Sequence, residues 1–185
     1  MRKLKLQVQM SIDAYIGGLN GEMDWLVFDW DHELKSYTTA LTESVDCIIL
    51  GRKLAEGFIP YWASHPEIEG ADKINESTKV VFTKTLDESR WDNTVLAQGE
   101  LVEEITSLKQ QDGGDLIVYG GGSFVSSLIK YGLIDEYHLF VNPTALGKGL
   151  PIFEELDGKQ PLLFVKSTAF ACGIVVLHYE PKRNT

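Results

Sequence analysis

Three consecutive glycines, Gly120, Gly121 and Gly122, stand where an apolar run gives way to a helical pattern. The run 116–119 predicts a short buried strand, and the apolar positions that then recur at helical spacing are Phe124, Val125, Leu128 and Ile129. Because glycine has no Cβ, a ligand can approach this backbone closely, and the first-turn amides of the helix carry partial positive charge. The junction, which continues into Ser123, therefore favours a bound phosphate; the alternative is a tight turn that needs only a flexible backbone. The motif is neither a spaced GxGxxG fingerprint nor a Walker loop, so it does not identify the ligand.

Two other predicted strands also end in residues that suit an anion. These residues are Gly51, Arg52 and Lys53 after the apolar run 45–50, and Thr83 and Lys84 after the run 79–82. If the strands are parallel, their carboxyl ends meet at one edge of the sheet, where α/β proteins bind ligands. An arginine binds a phosphate with two parallel hydrogen bonds, and a lysine acts as a mobile point charge. We therefore predict one shared anion site; the alternative for each cation alone is a solvated surface residue.

Composition and charge narrow the class of partner. The 185 residues carry a formal net charge of −10, which disfavours nucleic acid and anionic membranes as partners. Cys47 and Cys172 form no CxxC pair, no secretory segment opens the chain, and no apolar run approaches membrane-span length, so we expect a cytoplasmic protein. The four histidines are far apart in sequence and form no ligand motif, so we expect no metal site: His32, His65, His138 and His178.

The spacing of apolar residues predicts the strands and helices that position these candidate residues. Residues 4–10 alternate, which predicts a first strand with one polar face, and a helix follows the acidic stretch 29–33, with Asp29 or Asp31 as its N-cap. The stretch 57–78 contains prolines, glycines and charges, which predicts mostly irregular surface. In the last third, residues 135–141 alternate, and the segments 162–170 and 174–179 predict a hairpin.

Strands and helices alternate through the first two-thirds of the chain, which favours parallel pairing. The last third favours antiparallel strands. We therefore predict an α/β fold with one mixed, mainly parallel sheet, helices on both faces and a C-terminal antiparallel hairpin. With no repeat or linker in the sequence, we expect a single domain over residues 1–185.

Several segments in this order resemble the dihydrofolate reductase superfamily, and specifically its riboflavin-biosynthesis reductase (RibD C-terminal) domain family. The segments are SIDAYIGGLNGEMDWL, DCIILGRKLAEGF, VVFTKTL, DLIVYGGGSFVSSLIKYGLIDEYHLFVNPTALGKGLPIF and the terminal hairpin. They extend over nearly the whole chain, and the block from the triple glycine to GKGLPIF is the most specific. The resemblance implies a dihydrofolate reductase-like fold.

The resemblance also implies NADPH as the hydride donor. The implied cofactor-binding positions are Ala14, Ile16, Gly51, Arg52, Lys53, Thr83, Lys84, Gly120, Gly121, Gly122, Ser123 and Phe124. By motif position, Gly51 and Arg52 would meet the adenosine 2′-phosphate with Lys53 beside them, and residues 83–84 would contact the same adenosine end. Residues 120–123 would hold the pyrophosphate, and the segment 11–18 would run alongside the nicotinamide.

Two aspartates are candidate catalytic residues by the same resemblance. Asp13 matches the acidic position of the family's Ser-x-Asp-Gly motif, where it would bind substrate or support proton supply; an Asx turn that orders the loop explains it equally. Ala14 stands where the family usually has glycine. Asp29 lies roughly where dihydrofolate reductases place their folate-binding carboxylate, and helix capping is the alternative.

The function implied is an NADPH-dependent oxidoreductase that acts on a small heterocyclic or sugar-phosphate substrate. One candidate is 5-amino-6-(5-phosphoribosylamino)uracil reduction in riboflavin biosynthesis. The alternatives are dihydrofolate (pterin) reduction and a non-catalytic nucleotide-binding homodimer. The apolar C-terminal strands favour a homodimer, and four aromatic residues either line a pocket for a flat ring or serve as packing: Trp25, Trp30, Tyr61 and Trp62.

Overall fold

The computed structural model describes residues 1–182, with eight strands and five helices in that part of the chain. The strands are β1 (Leu4–Met10), β2 (Val45–Gly51), β3 (Thr78–Phe82), β4 (Thr94–Ala97), β5 (Asp115–Val118), β6 (Glu136–Val141), β7 (Leu162–Ala169) and β8 (Val175–Pro181). The helices are α1 (His32–Thr42), α2 (Arg52–Ser64), α3 (Ala71–Glu76), α4 (Leu101–Gln110) and α5 (Gly122–Lys130).

All eight strands form one sheet in the order β4-β3-β2-β5-β1-β6-β8-β7. The five neighbouring pairs from β4 to β6 are parallel, whereas β8 pairs antiparallel with both β6 and β7. The predicted mixed, mainly parallel sheet with an antiparallel C-terminal hairpin is therefore confirmed. As predicted, β2, β3 and β5 lie side by side and are parallel, so their carboxyl ends share one edge.

Helices cover both faces of the sheet. On one face, Ile105 of α4 and Val125 and Leu128 of α5 join the core that contains Leu4 and Leu6 of β1. On the other face, the buried residues of α2 pack in one cluster with β2, β3 and β5, and those of α1 pack in another with β6 and β8. Two separate apolar clusters thus occupy the α1–α2 face.

The polar face of β1 is buried beneath α1. Lys5 and Gln7 are each less than a tenth exposed, because β1 lies in the middle of the sheet. The Lys5 ammonium donates to the carbonyl oxygen of Leu41 at 3.1 Å and to the Ser44 hydroxyl at 2.9 Å, and it pairs with Asp115. The alternation of β1 therefore separates an apolar face from a polar face, and both faces are buried inside the protein.

The prediction that residues 57–78 are mostly irregular was wrong. Helix α2 continues through Pro60 to Ser64, and α3 follows. The proline lacks the amide that a helix interior uses, but burial of Ala55 and Ile59 against the sheet stabilises the helix around it. Tertiary packing thus outweighs the local signals for a break. Among the described residues, no helix combines the length and apolar character that a membrane crossing needs.

Candidate functional site

A groove of about 940 Å³ lies at the carboxyl edge of β2, β3 and β5. It brings together residues 51–54 and 121–124, which include two of the segments predicted from the sequence to bind an anion. Its remaining walls are Leu19, Asn20, Gly21, Phe82, Ser127, Leu150, Pro151 and Glu154. The residues that follow β2 and β5 therefore lie together at one edge of the sheet, as the sequence predicts.

Two helices begin at this groove with glycine N-caps. Gly51 precedes α2 and Gly121 precedes α5, and no side chain of residues 1–182 caps either helix through a hydrogen bond. By contrast, the Asp31 carboxylate caps α1 by accepting from the amide of Leu34 at 2.8 Å. The first-turn amides of α2 and α5 are thus available to an anion in the groove. Gly121 has φ +89°, a backbone conformation that residues with a side chain rarely adopt.

The Arg52 guanidinium lies at the start of α2, held by a carboxylate of the next turn. Its Nη1 donates to Glu56 Oε1 at 2.9 Å, and about a third of the Arg52 side chain is exposed. Arg90, in the loop before β4, places its Nη2 3.7 Å from the same Glu56 oxygen. Two guanidinium groups therefore flank one carboxylate beside the groove, with the exposed Lys53 next in the chain. Sequence reasoning missed Arg90, because nothing in its loop forms a recognisable pattern.

Thr83 and Lys84 lie in a smaller depression of about 260 Å³, which shares Phe82, Phe124 and Ser127 with the groove. The Thr83 hydroxyl oxygen accepts from two amides of its own turn, each at 3.1 Å. The Lys84 ammonium donates to the carbonyl oxygens of residues 98 and 99 at 3.1 and 3.2 Å, although the side chain stays mostly exposed. Gly120, with φ +150°, joins β5 to the groove but is not part of its wall.

Asp13 joins two loops at the end of β1. Its carboxylate accepts from the Ser11 hydroxyl at 2.6 Å and from the amide of Gly147 at 2.6 Å, with the amide of Leu146 at 3.1 Å. The Ser11 hydrogen bond, followed by the two amides, lowers the pKa of Asp13 to about 2. At neutral pH this group is an ionised acceptor that orders two loops, but its amide donors belong to residues 146–147 and not to its own turn, as an Asx turn would require.

Ala14 and Ile16 belong to the same pair of loops and do not line the groove. Ala14 has φ +67°, which explains why glycine is favoured there, and the amide of Ile16 donates to the carbonyl oxygen of Leu150 at 2.9 Å. The part of the first loop that reaches the groove is 19–21, immediately beyond the predicted segment 11–18. The side chains of residues 19–21 form no pattern that would predict their place in the groove wall.

Asp29 is exposed and lies outside α1, so the expectation that it caps this helix is corrected. The cap is Asp31, whose second carboxylate oxygen accepts from the amide of Cys172 at 3.0 Å. The burial that would adapt a carboxylate to hold a pterin ring is absent at Asp29. The reason is that the chain turns into the helix only at His32, two residues further on than a cap at Asp29 requires.

A second cavity of about 370 Å³ lies between α1 and the α2–α3 pair. Trp30 and Trp62 line it, whereas Trp25 and Tyr61 do not, so the structure separates the four aromatic candidates into two groups. Its other residues are Phe28, Lys35, Thr38, Thr39, Thr42, Ile68, Glu69 and Gly70. Aromatic rings and hydroxyl groups of this kind suit a flat ring that carries a polar chain.

The chain is similar to known proteins along nearly its whole length. The sequence pattern of the RibD C-terminal domain matches residues 2–176. The uncharacterized protein YyaP of Bacillus subtilis (strain 168) is 31% identical over 188 residues, which cover 97% of this chain and 95% of YyaP.

Two solved structures share the fold. A diaminohydroxyphosphoribosylaminopyrimidine deaminase/5-amino-6-(5-phosphoribosylamino)uracil reductase from Thermotoga maritima superposes with a TM-score of 0.72 at 16% identity, over 98% of this chain and 57% of that chain. A dihydrofolate reductase from Enterococcus faecalis, complexed with NADP(H), superposes with a TM-score of 0.67 at 17% identity, over 98% and 97% of the two chains. At these identities the superpositions establish a dihydrofolate reductase-like fold.

Proposed function

This chain belongs to the RibD C-terminal domain family, and we propose that it is an NADPH-dependent reductase of a small heterocyclic or sugar-phosphate substrate. The observation that carries the proposal is the pair of glycine-capped helix N-termini that open into one groove beside Arg52. The solved relative with NADP(H) shares the fold, which supports a nicotinamide cofactor for this chain as well.

The groove fits the phosphates of NADPH in this proposal. The amides of α5 face the pyrophosphate, since Gly121 and Gly122 leave the backbone open to close approach. The 2′-phosphate lies at Arg52, with Lys53 and Arg90 as further cations on that side. These groups provide local positive potential within a chain whose net charge is −10.

When bound, NADPH supplies the hydride, and the protein's part is to hold it in line with the substrate and exclude water. Residues 19–21 and 150–151 form walls of the groove and shield bound phosphates from solvent. The ionised Asp13 keeps the first loop tied to the loop at residues 146–147. A group with a pKa of about 2 does not release a proton near neutral pH, so we assign Asp13 to loop positioning.

The second cavity is the proposed place of the substrate ring. Trp30 and Trp62 provide aromatic walls, and three threonines on α1 offer hydroxyl groups to a sugar or polyol chain. The uracil reductase named for the Thermotoga maritima relative has a substrate of this chemistry, which supports the riboflavin-pathway reaction as the first candidate. Dihydrofolate is the second candidate, because a pterin is also a flat ring.

The exposed edge of the sheet supports a homodimer. Strand β7 has no neighbour on its outer side within the described residues, and Leu163, Phe164 and Val165 are 48%, 62% and 46% exposed. An apolar edge strand of this kind associates unless it is covered, and a second copy of the chain is the proposed cover. We expect Phe164→Glu to yield a monomer by light scattering, whereas Val95→Glu on β4, at the opposite edge, leaves the dimer intact. A monomeric wild-type protein would contradict the assignment.

The reductase proposal is tested with Gly121→Ala and Gly132→Ala. Both residues have positive φ, so alanine strains the backbone at each, but only Gly121 lies in the groove wall. Quenching of tryptophan fluorescence measures NADPH binding, and loss of NADPH absorbance with pyrimidine and pterin substrates measures turnover. We expect Gly121→Ala to weaken NADPH at least tenfold and Gly132→Ala to leave it unchanged. Binding without turnover would favour a nucleotide-binding module, and no binding to the wild type would refute the cofactor.

A further inference from the structure

Three metal-ligating side chains meet on the α1 face of the sheet, away from the cofactor groove. Glu136 and His138 lie two residues apart on β6, so their side chains share a face, and His138 pairs with His178 across the antiparallel β6–β8 ladder. Their ligand atoms all lie within 4.8 Å of one another. The expectation of no metal site rested on the distance of the histidines in sequence, and the strand register removes that objection.

His178 has a buried nitrogen without a partner. Its Nε2 atom has no solvent contact and accepts or donates no hydrogen bond within residues 1–182. Buried polar atoms of native proteins nearly always have a partner, so this nitrogen calls for a bound species. The ring stacks on that of His138, with centroids 4.2 Å apart and planes at 23°. The ring that carries this nitrogen therefore lies against the ring of a second candidate ligand.

The other two ligands are already oriented by a surrounding layer. The Tyr37 hydroxyl lies 2.8 Å from His138 Nδ1, and the Lys3 ammonium donates to Glu136 Oε1 at 2.7 Å. The remaining two atoms, Glu136 Oε2 and His138 Nε2, form a hydrogen bond at 3.2 Å when Nε2 carries the proton. If His138 donates Nδ1–H to Tyr37, its Nε2 lone pair faces a carboxylate oxygen, an arrangement that a cation between them stabilises. Histidine ligands held through their other nitrogen are typical of metal sites.

We propose that Glu136, His138 and His178 bind one divalent cation of the zinc class. Two imidazole nitrogens and a carboxylate oxygen are the donors that such borderline ions prefer. Tetrahedral zinc places its ligand atoms about 3.4 Å apart, so the His178 ring must turn about its Cβ–Cγ bond and draw closer. No hydrogen bond to Nε2 opposes that turn. Solvent supplies the remaining ligand from the side of Lys3 and Glu180, which are 52% and 42% exposed.

The site's position gives it a structural role. A cation there joins β6 to β8 of the C-terminal hairpin and, through Tyr37, to α1. None of its residues lines the cofactor groove, so metal binding and NADPH binding are independent. The proposal therefore stands or falls separately from the reductase function.

The test uses untagged protein treated with a chelator and then titrated with Zn²⁺ by calorimetry and with Co²⁺ by visible absorption. We expect one equivalent of Zn²⁺, a rise in Tm on binding, and Co²⁺ bands of a low-symmetry site. His178→Gln lowers zinc affinity at least tenfold and abolishes the Tm rise, whereas His32→Gln, at an exposed histidine of α1, behaves as wild type.

Tyr37→Phe provides a second measurement that removes no ligand. Loss of the contact to His138 Nδ1 weakens zinc about tenfold or more while the stoichiometry stays at one. Far-ultraviolet circular dichroism checks that each variant is folded. The proposal is overturned if wild-type protein binds no stoichiometric zinc, or if folded His178→Gln binds zinc as tightly as wild type.

Discussion

We expect replacement of Arg52 by glutamine to remove the proposed preference for NADPH over NADH. Arg52 stands beside the uncapped start of α2, where the proposed 2′-phosphate lies, and the two cofactors differ only in that phosphate. A charge-assisted hydrogen bond contributes about 1.5–3 kcal/mol. Because a third of the side chain is exposed, solvent screening places the expected loss in the lower half of that range.

A loss of about 1.5–2 kcal/mol corresponds to NADPH binding that is about 12- to 30-fold weaker, with NADH affinity unchanged. Glu56→Gln acts in the opposite direction. It frees the guanidinium from a partly exposed ion pair worth at most about 1 kcal/mol, so NADPH affinity should rise no more than about fivefold. Measured together, the two substitutions and their double mutant separate the phosphate contact from the Arg52–Glu56 pair.

Fluorescence titration with each cofactor is the assay, and Lys159→Gln is the charge-matched control, since Lys159 is exposed and outside the groove. We expect the control to bind both cofactors as wild type does. If Arg52→Gln weakens NADPH and NADH equally, the guanidinium contacts a part common to both, and the 2′-phosphate assignment is wrong. If neither affinity changes, Arg52 has no part in binding.

Three further outcomes follow from the structure. Asp31→Ala should lower the free energy of unfolding by about 0.5–2 kcal/mol in urea titrations because it removes the α1 cap, whereas Asp29→Ala should have little effect. Burial raises the pKa of Cys47 to about 11, so at pH 8 Ellman's reagent should label Cys172 in native protein and both thiols after denaturation; rapid native labelling of both would contradict the burial. The pKa of Asp13 is lowered, so its loop contacts are complete above the ordinary value of 3.8 and are lost as pH falls through about 2; the two amides bound to it should titrate near that pH by NMR, and a midpoint near 3.8 would show that the contacts are not formed in solution.

Much of the candidate site could be predicted because its signals are local. The triple glycine, the cation pair after β2 and the apolar runs before them each occupy a few neighbouring residues, and parallel pairing then brings the strand ends together. Arg90 and the loop 19–21 carry no such signal. Residues 19–21 reach the groove, and Arg90 reaches Glu56 beside it, only because of the paths of their loops, which depend on packing with distant segments.

Helix α2 shows that local sequence signals also fail to predict part of the fold. Gly57 and Pro60 indicate a break when read locally, yet Ala55 and Ile59 are buried against the sheet and α2 continues. Likewise, the sequence of β1 shows one polar face, and the sheet order, which places that strand in the middle, buries Lys5 and Gln7 on it. Propensity contributes little per residue, so the larger free energy of burial decides both cases.

The amino-acid sequence by itself determined the class of fold, the order of its strands along the chain and the sheet edge where glycines and cations gather, because hydrophobic period and glycine conformation act over a few residues. Only the tertiary structure decided which distant side chains share a space. His138 and His178 meet because β8 returns antiparallel to β6 in one particular register, and Arg90 reaches Glu56 beside Arg52 because the loop before β4 runs up to helix α2. Register and loop path are set by the packing of the whole core, which no single stretch of sequence contains.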